Sequence, residues 1–136
     1  MSLKQLQRAL AELFTNSRAR EAHRANPVTF ARTFKLSDRE QAQLLALAES
    51  ALETYAATLL RKRRAEAARL LPQTRAVLGA TFTPAFDRWA QRSTLREGSA
   101  RYVREAHDFC RFVLRTAAIS RDERHAIAGE LRRLRR

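Results

Sequence analysis

The sequence predicts an all-α protein, a single-domain bundle of five to seven helices around one long central helix at about residues 38–71. Three observations carry this. Apolar residues recur every three or four positions, which gathers them on one helical face. Three S-x-x-E/Q stretches, at Ser2, Ser37 and Ser120, have the pattern in which two side chains satisfy free N–H groups at a helix start. Only three Gly and three Pro interrupt 136 residues rich in strong helix formers. No alternating strand pattern, internal repeat or low-complexity linker interrupts this reading.

The elements follow in order. Ser2 with Gln5 opens a first helix carrying Leu3, Leu6, Leu10, Leu13 and Phe14. Asn16 and Ser17 mark a break, with Ser17 as cap of a short helix reaching His23. Asn26 and Pro27 form a turn, and Pro27 suits the first turn of a helix bearing Val28, Phe30, Ala31 and Phe34. Ser37 with Glu40 then opens a helix that meets no Gly or Pro before Pro72. Its stripe is Leu44, Ala48, Ala51, Tyr55 and Leu59, widened by Leu45, Leu52, Ala56 and Leu60. At 1.5 Å per residue this helix is about 50 Å long, the central support of the fold.

Pro72 breaks that helix and sets a potential division between residues 1–71 and 72–136. A short helix runs to Leu78, with Gly79 as its stop. Thr83 caps and Pro84 starts the next, with Phe82, Phe86 and Trp89 as anchors. The stretch TLREGS is a loop. Ser99 starts a helix whose inner face holds Tyr102, Ala106, Phe109, Val113 and Ala117, joined by Val103, Cys110 and Leu114. Ser120 with Glu123 opens the last, carrying Ile127, Leu131 and Leu134. The expected core is Leu10, Phe14, Phe30, Phe34, Leu52, Tyr55, Phe82, Phe86, Trp89, Phe109 and Val113.

Charge narrows the function classes. The net charge is +13 and the pI about 11.5, which draws polyanions: nucleic acid, acidic peptides or proteins, lipid headgroups. Nearly all cations are Arg, however, with Lys only at Lys4, Lys35 and Lys62. An Ala- and Arg-rich composition from a GC-rich genome produces the same excess with no anionic partner. Cys110 stands alone, so no disulfide forms within the chain and a reducing cytoplasm fits. No apolar run reaches 18 residues and the N-terminus is not a secretory signal, so no membrane attachment is expected.

Two basic sets are candidates for anion or nucleic-acid binding. Arg61, Lys62, Arg63 and Arg64 are consecutive, so on a helix they sweep roughly 300° and cannot share one groove. One of them must lie beside the core and snorkel outward. Arg61 and Arg64 remain as candidates, against a solvated surface with Glu66 as a partner. Arg101, Arg104, Arg111 and Arg115 are better spaced, forming a ridge about 21 Å long opposite the aromatic face, with Asp108 in its gap. The alternative is an exposed amphipathic face. Arg132, Arg133, Arg135 and Arg136 read as a solvated tail, and no helix-turn-helix is fixed by the pattern.

No catalytic, cofactor or metal residues are predicted. His107 and Cys110 stand three apart, close enough for two ligands, but no second pair lies nearby. Cys110 reads as a buried apolar residue, His107 as a boundary residue, and His23 and His125 as surface. Phosphate-loop, dinucleotide and H-E-x-x-H motifs are missing, so the chain reads as a non-enzyme.

The stretches LFTNSRAREAHRANPVTFARTFKLSDREQAQLL and KRRAEAARLLPQTRAVLGATFTPAF carry a resemblance. The first has a Leu-Phe-Thr start, an Asn-Pro turn, then Leu-Ser and a Glu. The second has Lys-Arg, Leu-Pro, Leu-Gly and two spaced Phe. Together they resemble small helical accessory proteins that partner multinuclear non-haem iron oxidative enzymes in the maturation of ribosomally made peptides. That resemblance implies a protein that presents substrate while the enzyme holds the metal. The expected function is therefore a helical accessory protein binding a partner protein or precursor peptide. The alternative is a basic, regulatory nucleic-acid-binding protein. A cytoplasmic location fits both, and homo-oligomerisation stays open.

Overall fold

In the computed structural model, which describes residues 2–95 and 98–134, every regular element is helical. The helices are α1 (Ser2–Thr15), α2 (Ser17–Ala25), α3 (Pro27–Thr33), α4 (Asp38–Leu45), α5 (Glu49–Leu70), α6 (Pro72–Leu78), α7 (Phe82–Ala90), α8 (Arg101–Thr116) and α9 (Arg121–Leu134). The all-α expectation holds. Nine helices among the described residues exceed the five to seven expected, because the chain is cut into shorter pieces than its periodicity suggests. The Ser2 side chain lies outside the described residues, as do Arg96 and Glu97 of the expected loop.

The chain divides into two compact units, residues up to Leu60 with Gln91–Thr94, and Arg61–Ala90 with residues from Leu95 onward. The boundary lies inside α5. Pro72 does end that helix, as its missing N–H requires, but it sits within the second unit.

In the first unit, Ala9, Leu13, Phe30, Ala31, Leu36, Leu44 and Leu52 are buried together, with Leu6, Leu10, Phe14, Ala19 and Phe34 packed around them. The starts of α2, α3 and α4 each have a local reason. Asn16 Oδ1 accepts from Arg18 N, so Asn16 and not Ser17 caps α2. Asn26 Oδ1 caps α3 through Thr29 N, with Pro27 in the first turn. Ser37 and Glu40 form the expected reciprocal box. At the end of α3, Lys35 takes φ 56°, while Lys35 N–H donates to Arg32 O and Leu36 N–H to Ala31 O. This is the closure that glycine normally makes, here with Leu36 buried behind it.

The predicted 38–71 helix is two helices. It starts at Asp38 as expected but stops at Leu45, and the chain turns through residues 46–48 before α5 begins at Glu49. No Gly, Pro or capping side chain marks this break. Tertiary contacts hold it: Leu44 and Leu52 enter the same core, while Arg24 Nε pairs with Glu49 and Arg20 Nε lies 3.3 Å from Glu53. The carboxylate of Glu49 also suits the positive end of the new helix. The buried stripe of α5 consequently runs through Leu52, Ala56, Arg63 and Ala67. Tyr55 falls on its flank and is 55% exposed, with one face on Phe14 at a ring separation of 4.4 Å, so it is not a core residue.

The second unit is built on aromatic packing and two buried carboxylates. Phe109 meets Phe82, Phe86 and Trp89 at ring separations of 5.7, 5.1 and 5.6 Å. Gly79, at φ 53°, stops α6 as expected, but a 3-10 turn over Gly79–Thr81 leads straight into α7 one residue before Thr83. α8 opens at Arg101, after Ser99, with no side-chain cap. The Ser120 and Glu123 box is present. α6 has no cap of its own, and Glu130 of α9 supplies one from afar, accepting from Gln73 N and Thr74 N at 2.8 Å each and from Thr74 Oγ1 at 2.7 Å.

Arg63 does not snorkel. It is 1% exposed and donates from Nε and Nη2 to the buried Glu105 carboxylate, at 3.0 and 2.6 Å, and from Nη2 to the carbonyl of Ala90 at 3.1 Å. A buried guanidinium is tolerated because its countercharge and a carbonyl replace the lost water.

Two stability outcomes follow. Arg63→Ala or Glu105→Ala each strands one buried charge and lowers unfolding stability by about 3–5 kcal/mol, whereas the double change R63M/E105L loses less than either, as read from urea midpoints. Lys35→Gly removes a left-handed non-glycine residue and raises the midpoint, by about 0.5–1 kcal/mol.

Candidate functional site

α8 is the most strongly amphipathic surface element among the candidates. Its inner face buries Glu105, Ala106, Phe109, Cys110 and Val113. That burial fixes the helix's rotation, and Arg101, Arg104, Arg111 and Arg115 are all exposed on the other side. At 100° per residue the four lie within an arc of about 80°. The ridge read from spacing is therefore brought together. Among the described residues none of its members is ion-paired. Arg101 folds back, donating to Gly98 O at 3.5 Å with its guanidinium carbon 5.1 Å from the centre of the Tyr102 ring. Asp108 sits in the gap with 43% of its side chain exposed, 3.6 Å from His107 Nδ1.

The other basic set does not act together. Arg63 is buried. Arg64 Nη1 donates to both Asp87 oxygens at 2.7 and 2.8 Å, so its charge is already matched. Arg61 is exposed. Glu66, proposed as a partner for this stretch, instead accepts from Arg69 at 2.8 Å. At the far end Arg132 and Arg133 are exposed on α9, while Arg135 and Arg136 lie outside the described residues.

The sequence reading missed a pocket in the first unit. The break between α4 and α5 leaves Leu45 and Leu47 56% and 37% exposed, although Leu45 was expected in the core stripe. They flank a pocket of about 210 Å³ lined also by Arg20, His23, Arg24, Pro27, Leu52 and the carboxylates of Glu49 and Glu53. His23 is not a surface residue. It is half-buried edge-on to Phe30, at 5.4 Å, and its Nε2 is buried without a hydrogen-bond partner among the described residues. Burial lowers its pKa, against the raising effect of Glu49. No local signal marks His23, because its contact with Phe30 joins two separate helices, α2 and α3. A second groove of about 360 Å³ lies between α1, α2 and α3, floored by Phe30 and Phe34.

His107 and Cys110 do not form a ligand pair. Cys110 is fully buried with its Sγ 3.6 Å from Thr74 Oγ1, while His107 lies beside Asp108. Among the described residues no group of three or more His, Cys, Asp or Glu is placed to hold a metal ion. No helix among them is long and apolar enough to cross a membrane.

Burial pushes the Cys110 thiol up to about 11, the Thr74 contact opposing it and Glu130 adding to it. The native thiol therefore resists thiol-reactive reagents at mildly alkaline pH and reacts at full rate once urea unfolds the chain. Because the folded pKa lies above the unfolded one, this group's contribution to stability is complete below about pH 8.5 and is lost as pH rises toward about 11. Loss of that alkaline dependence in Cys110→Ala is the check.

No curated protein and no solved structure matches the chain. Residues 39–115, which run from α4 to the last ridge arginine and hold both Arg63 and Glu105, match the family described as SCO6045-like, C-terminal domain, and with more than half of its length in that match the chain belongs to this family.

Proposed function

We propose that this chain is a non-enzymatic helical accessory protein, working in the cytoplasm, that docks a partner protein or a precursor peptide. The observation that carries the reading is the opening between α4 and α5. Leu45 and Leu47 stand exposed at a pocket that the exposed side chains of Arg24, Glu49 and Glu53 also line, a combination that gives an incoming side chain both apolar contact and polar partners. The resemblance to accessory partners of peptide-modifying iron enzymes supports the same role, with the chemistry residing in the partner. With no strand among the described residues, docking uses helix faces and pockets rather than strand addition.

One observation favours a second reading, nucleic-acid binding: the exposed arginine ridge of α8. Salt separates the two. Binding through several phosphates falls by orders of magnitude between about 50 and 200 mM salt. We expect duplex and single-stranded nucleic acid to bind weakly at low salt, without dependence on Arg104 and Arg111. Submicromolar binding at near-physiological salt, reduced by Arg104→Ala with Arg111→Ala, overturns the accessory reading. Under that reading a specific partner co-purifies from the native host with the unaltered chain and is lost with Leu45→Ser/Leu47→Ser, while circular dichroism stays unchanged.

A further inference from the structure

We infer that the outer face of α8 is a docking surface for an acidic peptide segment whose carboxylates come in two groups separated by a neutral stretch. The inference rests on the partner-docking reading above and names the chemistry that α8 selects.

The ridge is not uniform. Arg101 and Arg104 form one doublet and Arg111 and Arg115 another, with about 10.5 Å of helix between Arg104 and Arg111. Asp108 lies in that interval on the same arc, its carboxylate partly exposed. The surface reads plus, minus, plus along its length. The midpoints of the doublets are about 16 Å apart, which an extended peptide covers in about five residues.

This pattern discriminates between polyanions. A nucleic-acid strand carries a charge at every nucleotide, about 3.4 Å of axis apart, so a strand following the ridge sets phosphates against Asp108. A peptide can leave that position neutral and place its carboxylates only on the arginines, where guanidinium forks hold them in two-point hydrogen bonds. The N-terminal doublet gains further pull from the start of α8. No acidic residue occupies that first turn and no side chain caps it. The surface also offers little for stacking bases, since Tyr102 is half-buried with the Arg101 guanidinium near its ring.

The test uses the full chain and three fluorescent probes at about 150 mM salt, where exposed charges beyond about 8 Å are screened. One peptide carries two Glu pairs separated by three Gly and Ser residues, which sets the pair midpoints five residues, or about 16 Å, apart. The second has the same composition with its four Glu contiguous, and the third probe is duplex DNA. We expect the split peptide to bind about tenfold more tightly than the contiguous one, with the binding lost in Arg104→Ala/Arg111→Ala. Asp108→Asn is expected to close the gap by strengthening the contiguous peptide. Circular dichroism of each variant confirms folding. Equal affinity for the two peptides, or no binding that depends on the ridge, overturns the inference and leaves the accessory reading intact. DNA binding more tightly than either peptide at this salt overturns both.

Discussion

The buried pair of Arg63 and Glu105 is the constraint on which the second unit depends. It places a full charge on the core stripe of α5 and its complement on the inner face of α8, at side-chain exposures of 1% and 4%. Neither charge can leave without stranding the other. The third contact, Arg63 Nη2 to Ala90 O, ties in the end of α7. Three helices thus converge on one guanidinium with a directional geometry that apolar contact lacks. The net stabilisation from such a pair is small, because desolvation offsets attraction. Its consequence here is positional: Glu105 marks the edge of the inner face that Ala106, Phe109, Cys110 and Val113 fill, and the helical period turns Arg101, Arg104, Arg111 and Arg115 to the other side.

The same internal use of carboxylates shapes the surface. Glu105 and Glu130 are buried, one against Arg63 and the other capping α6, and Asp87 is taken up by Arg64. Each carboxylate drawn inward leaves the exterior with fewer negative charges. A net charge of +13 therefore understates how positive parts of the surface are, apart from the one cation buried with Glu105. A GC-rich genome raises the arginine count of a chain, but composition does not choose which arginines stay unpaired. The helix rotations do: among the described residues they leave the four ridge arginines of α8 outside any ion pair, with Asp108 alone between them, while matching Arg20, Arg24, Arg63, Arg64 and Arg69.

Local chemistry was legible in the sequence, and long-range chemistry was not. Ser37 with Glu40, Ser120 with Glu123, Pro72 and Gly79 act within a few residues, and each behaves as its residue type dictates. The break after Leu45 has no such marker, because its causes lie in Arg20, Arg24 and the shared core. Lys35 closes α3 in a conformation that its side chain disfavours, so the usual glycine signal is missing. Arg63 was the deepest miss. In a run of four cations nothing distinguishes the buried one except its place on the stripe of Leu52, Ala56 and Ala67. That stripe was misplaced by treating Tyr55 as core. The ridge, by contrast, was legible because helical spacing alone defines it.

A protein whose role is to be bound leaves a different imprint from an enzyme. Catalysis requires several groups converging on one point, and such convergence shows as motifs. Docking requires only that particular side chains remain outside when burial would otherwise take them. Leu45 and Leu47 meet that description in the first unit, because a helix with no break would have turned Leu45 along the stripe with Leu52. The four arginines of α8 meet it in the second. Asp108 is the informative member of that surface. Its position, four residues after Arg104 and three before Arg111, eases the repulsion among the arginines on the helix itself. Under the docking proposed for α8, the same placement between two arginine doublets would turn a general attraction for negative charge into a preference for one arrangement of it.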